Sequence, residues 1–514
     1  MSVDELIVVE GRAPLVWVAP HGGARDAARR PWASGPLRVN DLHTGALATE
    51  LAAMSGGSAL VNATADRNDV DLNRVGETHA RAPWFLERLA GVLEAAVARH
   101  GRATVLTVHG WNVIQPALDV GLGCARGADP YAVPPRAAVS PAFAAAAVRG
   151  LVDACRAEGL AATVGARYPA RHPENLLQLF TPRYANDARS AVRRLAALAP
   201  RVDAVQLELG IALRWPGPWR ARLVAACRAA LPLLAGGRGA RATPAPALAP
   251  DGAPAAPVAR RLEFASGGLS GLASLDAGRG GRLLLFPPSG GLLLFTGERT
   301  GGEPPARVGG LTIAPAAGGA TRVRYRGPML RFPDTTAFLD LEHGLRRADL
   351  VPADVTLDFV PRHAGGAEPG DFGRLAGEAT LDGTRFAVDA VAFGEGGAAP
   401  APWPRVRLAL HLGADRALVA TIAIPSGEAQ GFLCRAGAHV GVAAARVTLD
   451  ADVGPRAVVV ELRLADGERL RIEARALHRL PVVRVRPAPV RLDYLACAVD
   501  GGPVPAGWCE VAGL

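Results

Sequence analysis

Four short segments place polar residues where apolar runs stop. In VWVAPHGGARD (16–26), His21 follows the run 14–19, two glycines follow it, and Asp26 comes five positions later. ADRNDVDLNR (65–74) is a dense polar loop holding Arg67, Asp71, Asn73 and Arg74. VLTVHGWN (105–112) ends an apolar run on His109, and VQLELG (205–210) sets Glu208 between two leucines. Two histidines and a carboxylate make a ligand set for one Zn²⁺, and catalytic zinc keeps three protein ligands and an open position for water. A free glutamate nearby can take a proton from that water and pass it to a leaving amine. Arginines and an asparagine supply fixed donors for a substrate carboxylate or a developing oxyanion. Together the residues point to metal-assisted amide hydrolysis.

These residues need strands that end together. Candidate strands are 14–19, 59–62, 103–108 and 203–209, and candidate helices lie near 44–54, 84–99, 142–157, 187–198 and 217–234. The 84–99 segment puts Phe85, Leu86, Leu89, Val92 and Leu93 on one face at helical spacing. Alternating strand and helix predicts an α/β domain with a mostly parallel sheet and helices on both faces. Ligands of such folds sit at the carboxyl ends of the strands. Leu207 and Leu209 beside Glu208 mark a strand buried on both faces, where a carboxylate needs a partner.

The domain 1–236 gives way at 237–259 to a Pro/Ala/Gly-rich linker with no hydrophobic period. Beyond it, in 260–514, helix patterns almost vanish. Strand pairs recur around turn signals, as in EATL-DG-TRFAVDAVAF (378–393) and AVVVELRL-ADG-ERLRIEA (457–474). This predicts a large antiparallel all-β domain, a barrel or sandwich and possibly two units. Its five histidines, 343, 363, 411, 439 and 478, show no ligand spacing.

Composition narrows the field. All 57 Lys+Arg residues are arginine, which excludes P-loop NTPase, kinase and Schiff-base chemistry, since each needs an amine. The net charge of +9 is mild and spread out, aromatics are only 5%, and no basic run is interleaved with them, so no nucleic-acid partner is expected. Six cysteines lie far apart with no CxxC pair and read as reduced thiols. MSVDELIVVEGR lacks the long apolar core of a signal peptide, and no run of 18 uncharged apolar residues occurs. A cytoplasmic location without a membrane span is the expectation.

PHGG, then DLHTGALATELA (41–52), then R-x-x-x-D-x-N-R from Arg67 to Arg74, then a strand ending in His-Gly, then Q-x-E resembles the N-formylglutamate amidohydrolase family, relatives of the zinc carboxypeptidases. The resemblance covers roughly residues 14–215. It implies a phosphorylase/hydrolase-like α/β fold holding one zinc, with His21 and His109 as ligands and Glu208 as general base. It further implies that Arg67 polarises the scissile carbonyl while Asn73 and Arg74 hold a substrate carboxylate. Carboxypeptidases use H-x-x-E, but Ala24 stands three residues after His21. Asp26 resembles the carboxylate of an H-G-G-x-x-[DE] version of the motif, and Asp41 is the second candidate for third ligand. Tyr184 is a weaker candidate for proton donation or substrate binding, His172 for the rim and Trp111 for the pocket wall. His43 and His79 read as ordinary polar residues.

In the β-rich half, GEATLDGTRFAVDAVAFGEG (377–396) and ACAVDGGPVPAGWCEV (496–511) resemble lipocalin-like proteins typified by hydroxyneurosporene synthase. GEGGAAPAPWP (394–404) stands where those proteins carry a polar element. An apolar or lipid-like ligand is the expectation for this half. The competing reading is a catalytically inactive binding protein whose β domain is the functional part.

Overall fold

The computed structural model describes residues 6–23, 38–236, 260–265, 268–276, 280–299, 306–334, 341–363, 371–396, 405–413, 416–424, 426–435, 438–449, 457–480, 492–499, 502–503 and 506–512. They fall into two compact units, divided after residue 252. The linker 237–259 and Asp26 lie outside the described residues.

The first unit is a seven-stranded mixed sheet. In chain order its strands are β1 (Leu6–Val9), β2 (Leu15–Ala19), β3 (Ser58–Asn62), β4 (Ala103–Gly110), β5 (Ala117–Gly121), β6 (Ala161–Val164) and β7 (Val202–Leu209). Their spatial order is β1-β3-β2-β4-β7-β5-β6. The central run β3-β2-β4-β7 is parallel. β1 and β5 are antiparallel to β3 and β7. The strands expected from sequence form this central run. The short β1, β5 and β6, and the helix Val75–Arg81, are additions to the expected set.

Every residue of β2 is buried, because the sheet is covered on both faces. Leu15, Trp17 and Ala19 join a core with helices Thr44–Ser55, Arg149–Ala157 and Pro218–Leu234. Val16 and Val18 face the opposite core, with helices Pro83–His100 and Ser190–Ala197. The period-2 alternation of a strand thus feeds two cores at once. Pro83 opens its helix at a position where a missing N–H costs nothing. Phe85, Leu86, Leu89 and Leu93 form that helix's buried stripe.

The second unit is antiparallel β throughout its two sheets, of ten and nine strands. In the first, Leu292–Glu298 pairs with Thr321–Phe332 and closes eight strands into a ring, leaving Arg307–Val308 and Leu311–Pro315 outside it. In the second, Arg469–Leu480 pairs with Leu492–Val499, which pairs with Ala506–Ala512, and eight strands close again. The unit is therefore two closed antiparallel barrels. Closure removes the exposed edges that so many strands would otherwise present. The Asp382-Gly383 hairpin turn has positive φ at both residues, as a type I′ turn requires. Val458, Val460, Leu462 and Leu464 alternate into the apolar core of the second barrel. Phe372 and Phe393 of the first barrel pack on Ala409, Val419 and Phe432 of the second. Beside them a buried ion pair joins Glu263 to Arg407 at 3.0 Å. No helix among the described residues is long and apolar enough to cross a membrane.

Candidate metal centre

Three parallel strands end at one place. His21 lies two residues past β2, His109 is the penultimate residue of β4, and Glu208 is its register partner on β7. Neighbouring strands lie about 4.8 Å apart, so His109 and Glu208 project side by side from the same face. The glycines after His21 are required by close approach. A Cβ on Gly23 would lie 2.1 Å from the Ala65 carbonyl oxygen, and one on Gly22 2.8 Å from that of Asn62. The Asn62 side chain fastens this turn, donating to the carbonyls of Pro20 at 2.9 Å and Ala65 at 2.8 Å.

Asp41 reaches the same point from the turn before helix Thr44–Ser55. Its backbone N–H donates to the His21 carbonyl at 2.9 Å, and the Thr44 hydroxyl donates to the Asp41 carbonyl at 2.6 Å. His43, which opens the helix, has φ 67°, a left-handed conformation that costs a residue with a Cβ on the order of 1 kcal/mol.

Three ligand-type atoms converge. His21 Nδ1 lies 3.1 Å from Asp41 Oδ2, His109 Nδ1 lies 3.2 Å from His21 Nδ1, and His109 Nδ1 lies 3.5 Å from Asp41 Oδ2. All three residues are buried. His21 Nε2 meets Asp71 Oδ1 at 2.7 Å, so Asp71 holds the ring with its proton on Nε2 and its Nδ1 lone pair turned inward. That is the outer carboxylate–histidine pairing that orients metal-binding imidazoles. Arg38 Nη1 donates to Asp71 Oδ2 at 2.8 Å, and the Asn73 backbone N–H donates to Oδ1 at 3.0 Å. A lone pair, a second ring nitrogen and a carboxylate oxygen facing one another lack enough protons to satisfy all three. A cation among them resolves the repulsion. With ligand bonds of about 2.05 Å in a tetrahedron, the ligand atoms stand about 3.3 Å apart, and the triangle here has edges of 3.1–3.5 Å. The residues therefore fit zinc.

The electrostatics agree with that donor set. Burial raises Asp41, but the Arg67 guanidinium and the two neighbouring histidines outweigh it and hold the carboxyl well below its usual range. Burial likewise raises Asp71, and His21 and Arg67 pull it back far below that range. Burial pushes His109 down to about 4, against the pull of Asp41, so its ring is neutral and ready to bind a metal. Burial pushes Glu208 up to about 8, the Asp41 charge adds to this, and Arg67 and a hydrogen bond from Gln206 oppose it.

Arg67 Nη1 donates to Asp41 Oδ1 at 2.9 Å and to the Val39 carbonyl at 3.1 Å. Its buried Nε has no hydrogen-bond partner among the described residues. Gln206 Nε2 donates to Glu208 at 2.7 Å, and Gln206 in turn accepts from Asn175 at 2.9 Å and from Asn73 Nδ2 at 3.5 Å. Asn73 Oδ1 accepts from the Leu176 backbone. Arg74 leads into helix Val75–Arg81, and its partly exposed guanidinium stands 3.9 Å from Asp71.

The structure thus brings His21, His109 and Arg67 together at Asp41, with Arg74 reaching them through Asp71 and Asn73 reaching Glu208 through Gln206. The third corner is Asp41. Tyr184 is engaged elsewhere. Its hydroxyl lies 3.0 Å from the Pro173 carbonyl and 3.2 Å from Glu174, and it is pushed up to about 12 by burial and Glu174. Trp111 packs edge-on to Tyr168, and His172 accepts from the Glu174 backbone. The sequence reading assigned no role to Asp71, although its place in the Arg67–Arg74 loop is the signal for one. Asn175 carries no sequence signal of its own.

No family model matches the chain, and no curated protein matches it. Solved structures do. An N-formylglutamate amidohydrolase from Ralstonia eutropha JMP134 is 17% identical, covering 45% of this chain and 97% of its own, with a TM-score of 0.32. An AttH candidate from Nitrosomonas europaea is 17% identical over 50% of this chain and 91% of its own, with a TM-score of 0.33. Kievitone hydratase from Nectria haematococca is 12% identical over 49% and 87%, with a TM-score of 0.29. These are weak likenesses of fold. The first neighbour is of the family that the N-terminal motifs resemble.

Proposed function

We propose that the α/β unit is a zinc-dependent amidohydrolase that cleaves the C–N bond of an acidic N-acylated small molecule, such as an N-formyl or N-acyl amino acid. The observation that carries this reading is the triangle of His21 Nδ1, His109 Nδ1 and Asp41 Oδ2, with Glu208 beside it. Zinc, when bound, lowers the pKa of its water toward neutrality and polarises a carbonyl. The chain supplies the rest. Glu208 keeps its proton up to about 8 without metal; a cation beside Asp41 favours its carboxylate, which then takes a proton from the attacking water and delivers it to the leaving nitrogen. Arg67 is held by Asp41 and the Val39 carbonyl, and its free Nε–H serves the oxygen of the scissile carbonyl. Arg74 holds the substrate carboxylate, and Asn73 Nδ2, only loosely engaged at 3.5 Å, is the second donor. The four described cysteines 124, 155, 227 and 434 are free thiols, in keeping with a cytoplasmic setting.

The test is zinc titration of metal-stripped protein, followed by amine release from a panel of N-acyl amino acids. One zinc per chain, lost together with activity in H21A, supports the proposal. In E208Q zinc should remain while turnover falls by at least about 10²-fold. Wild-type protein that takes up no zinc overturns the proposal.

A further inference from the structure

Arg214 is fully buried at the end of the short helix Ile211–Arg214, just beyond β7. Its donors go to three backbone carbonyls from three distant parts of the chain. Nη1 donates to Leu42 at 2.9 Å, Nε to Leu209 at 3.1 Å and Nη2 to Trp111 at 3.3 Å. Those carbonyls lie one residue after Asp41, one after Glu208 and two after His109. The guanidinium also explains the glycine after His109, because a Cβ on Gly110 would lie 2.7 Å from Arg214 Nη1. The next residue, Trp215, packs its ring 4.4 Å from that of His43, the residue held at φ 67° in the Asp41 turn. Residues 214–215 thus grip that strained turn at two successive positions.

We propose that Arg214 is the positioning residue of the metal centre. Its planar fork fixes the spacing of the segments that carry Asp41, His109 and Glu208, and Trp215 holds the Asp41 turn in its left-handed conformation. Resting on the metal-centre reading, this inference names what sets the centre's geometry. Arginine is suited to the task because its five donors lie in one rigid plane, whereas lysine is a point charge that cannot span three carbonyls. Burial lowers Arg214 only to about 10, so the cation persists at neutral pH.

The experiment compares wild type with R214K, both metal-stripped. Zn²⁺ affinity is measured by chelator competition, and the site geometry is read from the visible spectrum of bound Co²⁺. A positioning role predicts that R214K binds Zn²⁺ about 10–100-fold more weakly, by analogy with other outer-sphere losses, and that its Co²⁺ bands shift. An arginine that merely stabilises the fold would lower the unfolding temperature and leave both readouts unchanged, which overturns the inference. If R214K does not fold, W215L carries the test, since it keeps the guanidinium and removes the ring that packs on His43 and stacks on Arg214. Several-fold weaker Zn²⁺ binding supports the inference, and unchanged binding overturns it. Wild type that binds neither metal overturns the hydrolase reading and this inference with it, whereas wild-type binding matched by the variants overturns this inference alone.

Discussion

Replacing Glu208 by Gln should change the number of protons released when zinc binds, by an amount the structure sets. In the metal-free protein Glu208 stands at about 8 because it is buried and faces the charge of Asp41. At pH 7 a group with that pKa is about 0.9 protonated. A divalent cation beside Asp41 reverses the local field and favours the carboxylate. Wild type should therefore release about 0.9 more proton per zinc than E208Q, whose amide does not titrate. His109, at about 4, is already neutral at this pH and contributes almost nothing. Whatever the other ligands release is common to both proteins and cancels. The assay is calorimetric titration with zinc in two buffers of different ionisation enthalpy, whose slope counts the protons. The difference between the two proteins should grow toward one proton at pH 6 and shrink to about 0.5 at pH 8. Equal proton counts at pH 7 would refute the argument, because Glu208 would then be ionised before metal arrives or indifferent to it. Loss of zinc binding in E208Q would refute it too, by making Glu208 a ligand.

The same shift governs the stability of the metal-free protein. Folded Glu208 keeps until about 8 a proton that the unfolded chain loses near 4.5, so its stabilisation is full below about 4.5 and is lost as pH rises through 8. Thermal melts of metal-free protein should show wild type losing ground to E208Q across that window, by on the order of a few kcal/mol in all, and a constant offset would contradict the assignment. His109 acts in the opposite sense: it is depressed from 6.5 to about 4, so stability rises with pH between those values, and H109Q melts should lose that rise. D71N should weaken zinc binding about 10–100-fold by loosening the His21 ring, a smaller loss than D41N, which removes a ligand atom, and equal losses in a chelator competition would count against Asp71 as an outer partner. G23A forces a Cβ to within 2.1 Å of the Ala65 carbonyl oxygen, so its unfolding free energy, measured by denaturant titration, should fall as for an overpacked core, by on the order of 1–3 kcal/mol.

The site was legible wherever chemistry coincided with local pattern. Strands β2, β4 and β7 announce themselves as apolar runs, and His21, His109 and Glu208 stand where those runs end or are interrupted. The third corner was harder to read because no local period measures the distance across a loop. Asp26 lies outside the described residues; among those described, the carboxylate that meets both histidines is Asp41, brought in by the turn before Thr44–Ser55. β5 was missed because it is short, follows Pro116 and carries Asp119. That carboxylate is satisfied by the backbone N–H groups of residues 166, 167 and 168, partners that sequence cannot place. The barrels were readable as antiparallel strand pairs, but closure depends on pairings between distant strands such as Leu292–Glu298 with Thr321–Phe332, which leave no local trace.

Charge explains why the proposed centre would pair a metal with several arginines. Asp41 and Asp71 are both buried and both contact His21, and two buried carboxylates repel unless cations compensate them. Arg67 compensates Asp41, and Arg38 with Arg74 compensates Asp71. Among the described residues no ion pair reaches Glu208, whose hydrogen-bond donor is the neutral Gln206; the pull of Arg67 does not outweigh burial and the Asp41 charge, so Glu208 answers its neighbour's charge by keeping a proton. Metal and proton therefore compete for the same electrostatic role. On the proposed function, the group that releases the proton when metal arrives would also be the one that takes a proton from water during turnover. On this argument a basic residue introduced beside Glu208, for instance Gln206→Arg, would ionise it without metal and abolish the zinc-linked proton release. Release that persisted in Q206R would show that the proton comes from another group.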